Sequence, residues 1–253
     1  MSMQDEPQSQ LKRKTIDTEG IDRDSPKIDT VGDPATCPSP FNDFRSGSSW
    51  RIFRIMAEFI EGFEFLADLK KEITILGSAR TAQGSHWYEQ ARKLGQLLGK
   101  DGYTIITGGG PGIMEAANRG ANEVKAESVG INIQLPKEQR INPYVTKGKG
   151  FYYFFTRKVI LTVSAQAYCF FPGGYGTLDE LMEILTLIQT KKMCHIPIVL
   201  VGKEHWTTLF EWVKSKLLDD GYIDETDMHL FTIVDTAEEA FAIISKSQDR
   251  PYF

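Results

Sequence analysis

The sequence lacks the local patterns that would predict a metal centre or a disulfide framework. Its three cysteines are Cys37, Cys169 and Cys194, and no two of them have the spacing of a metal-binding pair. Cys194 directly precedes His195, but two adjacent ligands do not make a closed site. The sequence therefore predicts no metal.

Two nucleotide-binding fingerprints are also missing. A dinucleotide site needs G-x-G-x-x-G after the first strand, but that strand is followed by Gly77 alone. The glycines at 108–112 follow the second strand, and the third glycine of the fingerprint is missing at the required place. No G-K-[ST] follows any of the glycines, so a P-loop is missing too. These absences disfavour an NAD-type oxidoreductase and a P-loop NTPase, and we expect no cofactor.

Long apolar runs and excess positive charge are absent as well. No run of 18 apolar residues is present, so we expect no membrane span and no membrane partner. The formal net charge is −5, which gives no reason to expect a nucleic-acid partner. The first ten residues contain no apolar signal core, and we expect a cytoplasmic protein.

The composition divides the 253-residue chain into three parts. Residues 1–47 are rich in Asp, Ser, Pro, Lys and Gln, which predicts a disordered or loosely ordered tail, with a regulatory or partner-binding role left open. Residues 48–70 contain apolar residues at helical spacing, which predicts an amphipathic N-terminal helix at 50–69. Residues 71–248 then form the predicted folded domain.

Strand and helix patterns alternate through that domain. This alternation predicts an α/β fold, a Rossmann-like doubly wound parallel sheet flanked by helices. Its ligand is expected at the carboxyl ends of the strands. The predicted strands are 73–76, 103–107, 128–133, 165–171, 196–201 and 231–234, and the predicted helices between and after them are 87–100, 113–124, 177–189, 206–218 and 237–245.

The stretch at 170–180, FFPGGYGTLDE, organises the domain. An apolar strand ends here, Pro172 and three glycines interrupt it, and a helix with apolar residues at three- and four-residue spacing follows. Unpaired backbone N–H groups and the helix dipole make such a turn suited to an anion, most often a phosphate. Thr177 could add a hydroxyl donor. The plainer alternative is a simple connection, with Asp179 and Glu180 as favourable first-turn charges.

A second candidate lies in the region between the third and fourth predicted strands. Residues 134–150 are expected to be irregular and functional or mobile. In the aromatic stretch that follows, Thr156 is predicted to be a helix N-cap, which would place Arg157 in the first helical turn. A cation is unfavourable there unless an anion lies nearby, so Arg157 is either a site residue or a plain surface arginine.

Three separated motifs together resemble the LOG family, the phosphoribohydrolases that activate cytokinins and were long mislabelled lysine decarboxylases. They are GGGPGIME at 108–115, RK at 157–158 and PGGYGTLDE at 172–180. The resemblance implies hydrolysis of the N-glycosidic bond of a nucleoside 5′-monophosphate, giving free base and ribose 5-phosphate. The additional N-terminal segment and the FFTRK context are similar to the longer bacterial members, which leaves N6-modified AMP, plain AMP and other purine or pyrimidine monophosphates as alternative substrates.

The resemblance also implies roles for individual residues and a homodimer. Arg157 and Glu180 correspond to the catalytic pair, with Arg157 either holding the carboxylate or assisting the leaving base. The positions implied in substrate binding are Glu138, Lys158, Gly173, Gly174, Tyr175, Gly176, Thr177, Thr186, Gly109 and Gly110.

Two other functions were weighed against hydrolysis. A non-catalytic nucleotide or molybdenum-cofactor carrier would need the phosphate loop but not the Arg157–Glu180 pair. An amino-acid decarboxylase would need a pyridoxal-phosphate lysine, for which the sequence has no motif.

Overall fold

The computed structural model of the chain describes residues 48–134 and 141–248. Within these residues, seven strands form one fully parallel sheet in the order β4-β3-β2-β1-β5-β6-β7. The strands are β1 Glu72–Leu76, β2 Thr104–Thr107, β3 Ser128–Ile133, β4 Lys147–Phe151, β5 Ala167–Phe170, β6 Ile198–Val201 and β7 Thr232–Val234. The predicted α/β fold, Rossmann-like and doubly wound, is confirmed.

Helices cover both faces of the sheet. They are α1 Ser48–Ala67, α2 His86–Lys100, α3 Ile113–Glu123, α4 Phe154–Val163, α5 Tyr175–Gln189, α6 Lys203–Val213 and α7 Ala237–Ile244. A π-helical turn, Lys214–Leu218, extends α6, and a 3₁₀ turn, Glu225–His229, precedes β7. One hydrophobic core contains residues of α1, α4, α5 and α6, and the other contains residues of α2, α3 and α7.

The central strands are apolar because both of their faces are covered. Residues of β1, β2, β3, β5 and β6 are buried almost throughout, as expected for parallel strands between two helical layers. None of the helices in the described ranges is both long enough and apolar enough to cross a membrane.

The prediction that residues 134–150 are irregular is partly wrong. Its last residues, together with Phe151, form the edge strand β4, which pairs with β3 from Val129 to Ile133. The sequence of this strand, KGKGF, does not predict it. Neither glycine nor lysine favours strands, and the strand has no alternation of apolar and polar residues. Pairing with an already formed neighbour overrides the weak local preference.

The predicted N-cap of α4 is also wrong. The helix begins at Phe154 with Tyr153 as its N-cap residue, so Thr156 lies inside the first turn and Arg157 follows it. By contrast, the final helix has the predicted Thr236 N-cap, whose hydroxyl accepts from the Glu239 N–H in a capping box.

Candidate functional site

The candidate site lies where the winding of the sheet reverses. β1 has β2 on one side and β5 on the other, so the loops after β1 and β5 leave the sheet side by side. The Ser78 N–H donates to Pro172 O (3.1 Å), and Ser78 O accepts from the Ile113 N–H (3.0 Å). These bonds join three loops, those after β1, β2 and β5, into one rim at the carboxyl ends of the strands.

We call residues 172–176 the phosphate loop, because it leads directly into the N-terminus of α5. Gly174 is the N-cap, and the N–H groups of Tyr175 and Gly176 belong to the first turn, where intrahelical acceptors are lacking. A Cβ on Gly173 would lie 2.1 Å from Thr177 Oγ1, so only glycine lets this hydroxyl approach the loop. Gly174, Tyr175 and Gly176 are exposed. The turn is therefore open to an anion from solvent.

Arg157 and Glu180 form a buried ion pair beside this loop. Arg157 Nη1 donates to Glu180 Oε1 at 3.3 Å, and Arg157 Nε donates to Ile131 O at 3.0 Å. The side chains are 13% and 7% exposed. Glu180 Oε2 is buried and has no hydrogen-bond partner among the described residues. One carboxylate oxygen is thus held by the arginine while the other is free to accept a proton or a hydrogen bond.

Burial sets the ionisation of this pair. It raises the pKa of Glu180 to about 7, against the opposing attraction of Arg157 and Lys158. It also lowers the pKa of the Arg157 guanidinium, which its contact with Glu180 partly restores. A carboxyl group with a pKa near neutrality can take up and release a proton under physiological conditions, as a general base must.

Residues 108–112, which we call the inner glycine loop, hold Arg157 from the other side. A Cβ on Gly108 would lie 2.7 Å from Arg157 Nη2, so a side chain there would displace the guanidinium. The backbone groups of this loop are already engaged: the Gly109 N–H donates to Thr107 Oγ1 (2.9 Å), and Gly109 O accepts from the Asn142 N–H (2.8 Å).

Sequence reasoning missed the polar network that fixes the inner glycine loop. Asn142 Nδ2 donates to Gly110 O (3.0 Å) and to Asn118 Oδ1 (2.9 Å), and Asn118 Nδ2 donates to Ser128 Oγ (2.8 Å). All of these side chains are buried. These partners are up to 32 residues apart, and nothing local marks them as a set. The network fixes the backbone of Gly109 and Gly110, and their substrate-binding role stays a prediction.

The structure places the remaining predicted site residues at different distances from the pair. Lys158 Nζ lies 2.8 Å from Asp179 Oδ2 and 3.0 Å from Glu183 Oε2. Burial lowers the pKa of Lys158, but these two carboxylates more than offset it and the net pKa is raised. Lys158 therefore lies next to the pair as a protonated, doubly paired cation.

Tyr175 and Thr186 lie on the outer side of α5. Tyr175 is 94% exposed, and the exposed Thr186 donates its hydroxyl to Met182 O (2.7 Å). Both border an open groove of about 510 Å³ that also includes Leu178, Met182 and Leu187. Glu138 lies outside the described residues. In the described ranges, no three His, Cys, Asp or Glu side chains converge in a way that could bind a metal ion.

Comparisons with known proteins bear on the family and the fold. A family model described as "Possible lysine decarboxylase" matches residues 114–244, just over half of the chain. A cytokinin riboside 5′-monophosphate phosphoribohydrolase from Mycobacterium marinum is 28% identical over 60% of this chain and 82% of its own length. A probable enzyme of the same name from rice, Oryza sativa subsp. japonica, is 26% identical over 64% of this chain and 66% of its own length.

Solved structures share the fold. The X-ray structure of a structural-genomics target, TM1055, has a TM-score of 0.53 and 27% identity, covering 70% of this chain and 99% of that one. The molybdenum cofactor carrier protein of Chlamydomonas reinhardtii has a TM-score of 0.54 at 22% identity, over 70% of this chain and 97% of its own. At that identity the likeness to the carrier shows the fold alone.

Proposed function

This chain belongs to the LOG family, and on that premise we propose that it hydrolyses the N-glycosidic bond of a nucleoside 5′-monophosphate. The observation that supports this most directly is the buried Arg157–Glu180 pair, with Glu180 Oε2 unpartnered among the described residues, beside an open helix N-terminus. The products would be the free base and ribose 5-phosphate. AMP and N6-modified AMP are the substrates we propose.

The phosphate loop would bind the 5′-phosphate. The N–H groups of Tyr175 and Gly176, the helix dipole and the Thr177 hydroxyl all favour an anion at this end of α5. Glu180 follows Thr177 by three residues, about 4.5 Å along the helix axis. A ribose whose phosphate occupies the loop would therefore have its anomeric carbon within reach of the carboxylate.

Glu180 would act as the base. Cleavage of an N-glycosidic bond develops positive charge on the sugar, as in other glycoside hydrolyses. An ionised Glu180 would stabilise that charge and would remove a proton from the attacking water through Oε2. Arg157 would hold Oε1, so that the other oxygen faces the substrate. The water oxygen bonds to the anomeric carbon as the carbon–nitrogen bond breaks, and the base leaves with the electron pair of that bond. The leaving nitrogen takes up a proton from solvent, and Glu180 returns to its ionised form by releasing the proton that it took from water.

The described lysine nearest to the pair does not support a decarboxylase. A Schiff-base lysine has to be neutral, which usually requires a lowered pKa. The pKa of Lys158 is raised instead, because Asp179 and Glu183 both contact its ammonium group. A carrier that only binds a nucleotide would in turn have no need for a buried carboxylate with a free oxygen, since burying such a group is unfavourable.

We further propose that the protein acts as a homodimer. The exposed side of α1 carries Trp50, Ile52, Phe53, Met56 and Ile60, and Met182 is exposed on α5. An apolar surface of this kind is typical of a protein–protein contact. Light scattering coupled to size exclusion would measure the mass, and a monomer at micromolar concentration would contradict the proposal. The cytoplasmic location and the absence of a nucleic-acid partner stay predictions from composition.

The test of the reaction is base release measured by chromatography. The panel contains AMP, N6-isopentenyl-AMP and the other nucleoside monophosphates, each with wild type and Glu180→Gln. We expect release from at least one member and a kcat about 10² to 10⁴ lower in the variant. With wild type, kcat/KM should rise with pH and level off above about 7, since the ionised form of Glu180 is the active one.

Other outcomes would decide against the proposal. Tight nucleotide binding without release from any member would indicate a carrier. An activity that falls as pH rises through 7 would mean that Glu180 acts in its protonated form, as an acid on the leaving base.

A further inference from the structure

The N-terminal helix α1 supplies a carboxylate to the start of α4, the helix that carries Arg157. Glu58 Oε1 accepts from the Tyr152 N–H at 2.8 Å, and Oε2 accepts from the Tyr153 N–H at 3.3 Å. The Thr156 hydroxyl donates toward Glu58 Oε2 at 2.5 Å, with Tyr153 O 2.8 Å away. One side chain, from a helix about 95 residues earlier in the sequence, thus contacts three donors around the first turn of α4.

The first turn of α4 needs such a partner. Tyr153 is the N-cap and its side chain makes no capping bond. The N–H groups at a helix N-terminus lack acceptors within the helix, and a negative charge there is favoured by the helix dipole. Glu58 provides the charge, and its carboxylate accepts from the N–H groups of Tyr152 and Tyr153, at and just before the N-cap. Thr156, which resembles an N-cap in sequence, lies inside the helix and donates its hydroxyl to the same carboxylate.

Further contacts hold α1 along β4 and α4. A Cβ on Gly62 would lie 2.6 Å from a side-chain carbon of Ile160 and 3.2 Å from Phe151, so the two helices approach closely at this glycine. Lys149 forms an ion pair with Glu61, and the Arg54 guanidinium lies 4.2 Å from the centre of the Tyr152 ring. Glu58 therefore approaches α4 from a fixed direction.

The Glu58 contact lies one helical turn before the candidate catalytic arginine, Arg157. The backbone N–H of Arg157 donates to Tyr153 O at 3.2 Å. Tyr153 is also the residue whose own N–H donates to Glu58, so the helical turn that ends at Arg157 starts at the Glu58 contact. The bond from Arg157 Nη1 to Glu180 Oε1 is 3.3 Å, at the long end of hydrogen-bond geometry. A small shift of the first turn would break it.

We propose that Glu58 is a positioning residue for Arg157: its carboxylate fixes the start of α4 so that the guanidinium meets Glu180. The consequence for catalysis rests on the hydrolase function proposed above, whereas the placement of Arg157 can be measured without it. The N-terminal helix then contributes to the site as well as to packing.

The first test is kinetic and uses the full chain. We compare Glu58→Ala and Glu58→Gln with Glu64→Ala and Glu64→Gln, which remove the same charge from an exposed position on the same helix. Displacing a catalytic group by about 1 Å lowers rates up to about 100-fold, so kcat of Glu58→Ala should fall 10- to 100-fold. KM should stay within threefold, because the phosphate loop belongs to α5. Glu58→Gln keeps an acceptor oxygen and should recover part of kcat.

The second test is spectroscopic. Arg157 Nε–H donates to Ile131 O, and its NMR signal can be assigned from its loss in Arg157→Lys. This signal should shift or broaden in Glu58→Ala, and the amides at 152–157 should exchange faster with deuterium. Neither change should occur in the Glu64 variants. Should Glu58→Ala not fold, Glu58→Gln takes its place in both tests, with smaller changes expected.

The two tests separate this inference from the proposed function. Unchanged kcat, unchanged exchange and an unchanged Arg157 signal in the Glu58 variants would overturn it, as would equal losses in the Glu64 variants. If wild type releases no base from any monophosphate, the hydrolase function fails. The Arg157 signal and amide exchange then decide whether Glu58 positions the arginine.

Discussion

The two glycine-rich loops have similar composition and opposite environments. The inner glycine loop, 108–112, has its Gly109 and Gly110 backbone groups bonded to Thr107 and Asn142, and its three consecutive glycines are buried. The phosphate loop, 172–176, exposes Gly174, Tyr175 and Gly176 at the start of a 15-residue helix. Glycine serves close packing in the first loop and backbone access in the second. Glycine content alone therefore does not identify the loop that binds a ligand.

The pair between the two loops gives the largest expected effect. Glu180 has a pKa of about 7 in the folded chain, against an ordinary value of 4.5 for an exposed glutamate. Between these values the unfolded chain loses a proton that the folded chain keeps, so the free energy of unfolding of wild type falls as pH rises from 4.5 to 7. In Glu180→Gln the side chain does not titrate, so the free energy of unfolding does not have this contribution to its pH dependence. Relative to wild type, the variant should be more stable at pH 8 than at pH 5 by about 2.5 kcal/mol.

Urea unfolding of wild type and Glu180→Gln at pH 5 and at pH 8 measures this effect. The double difference is the change in the free energy of unfolding between the two pH values in the variant minus the same change in wild type. Wild-type Glu180 is mostly protonated at pH 5 and mostly ionised at pH 8, and the pKa of about 7 already includes its attraction to Arg157. Glu64→Gln, exposed on α1, is the control and should show no pH-dependent difference. A double difference below about 0.5 kcal/mol would mean that the two loops do not keep Glu180 desolvated.

The next effect contrasts one glycine from each loop. In Gly108→Ala the new methyl group would lie 2.7 Å from Arg157 Nη2 and 2.8 Å from Met114 Sδ. We expect kcat for base release to fall about 100-fold while KM changes little, because the guanidinium moves and the phosphate loop does not. In Gly174→Ala the methyl group meets nothing within 4 Å, so kcat should be nearly unchanged. Equal losses of kcat in both variants would remove the distinction between the loops.

The smallest effect concerns the Thr177 hydroxyl, which directly follows the phosphate loop. Thr177→Val keeps the shape and removes the donor, and a hydrogen bond to a charged group contributes about 1.5–3 kcal/mol. We expect KM to rise about 10- to 150-fold with kcat nearly constant, and inorganic phosphate to inhibit correspondingly less. Thr177→Ser should restore both values. A variant with unchanged KM would show that the backbone N–H groups alone bind the phosphate.

The sequence predicts the sheet well because its central strands are nearly continuous apolar runs. The segment around Cys169 is an example: it is buried on both faces and is followed at once by Pro172 and glycines. The turn at 172–176 and its helix could be predicted because both signals are local. The partnership of Arg157 with Glu180 came from the family resemblance. The structure brings the two together, and their catalytic roles stay a prediction.

The features that could not be predicted depend on contacts distant in sequence. β4 contains two glycines and forms because β3 offers it an edge. Thr156 has the residue type and position of an N-cap, yet the helix begins at Phe154, and Glu58 from α1 accepts from the N–H groups of Tyr152 and Tyr153. Asn118 and Asn142 are ordinary polar residues until the fold buries them against the inner glycine loop. In each case a tertiary partner overrides the local preference.

The contact between α1 and α4 also has a consequence for synthesis on the ribosome. Glu58 leaves the exit tunnel 94 residues before the Tyr152 amide that it accepts from. During that interval α1 has neither β4 nor α4 to pack against, and both its apolar sides face solvent. Closing so long a loop makes this docking a late, slow step of folding. The nascent chain is therefore most prone to aggregation before residue 163 has been made, and a chaperone that binds apolar helices would act in that window.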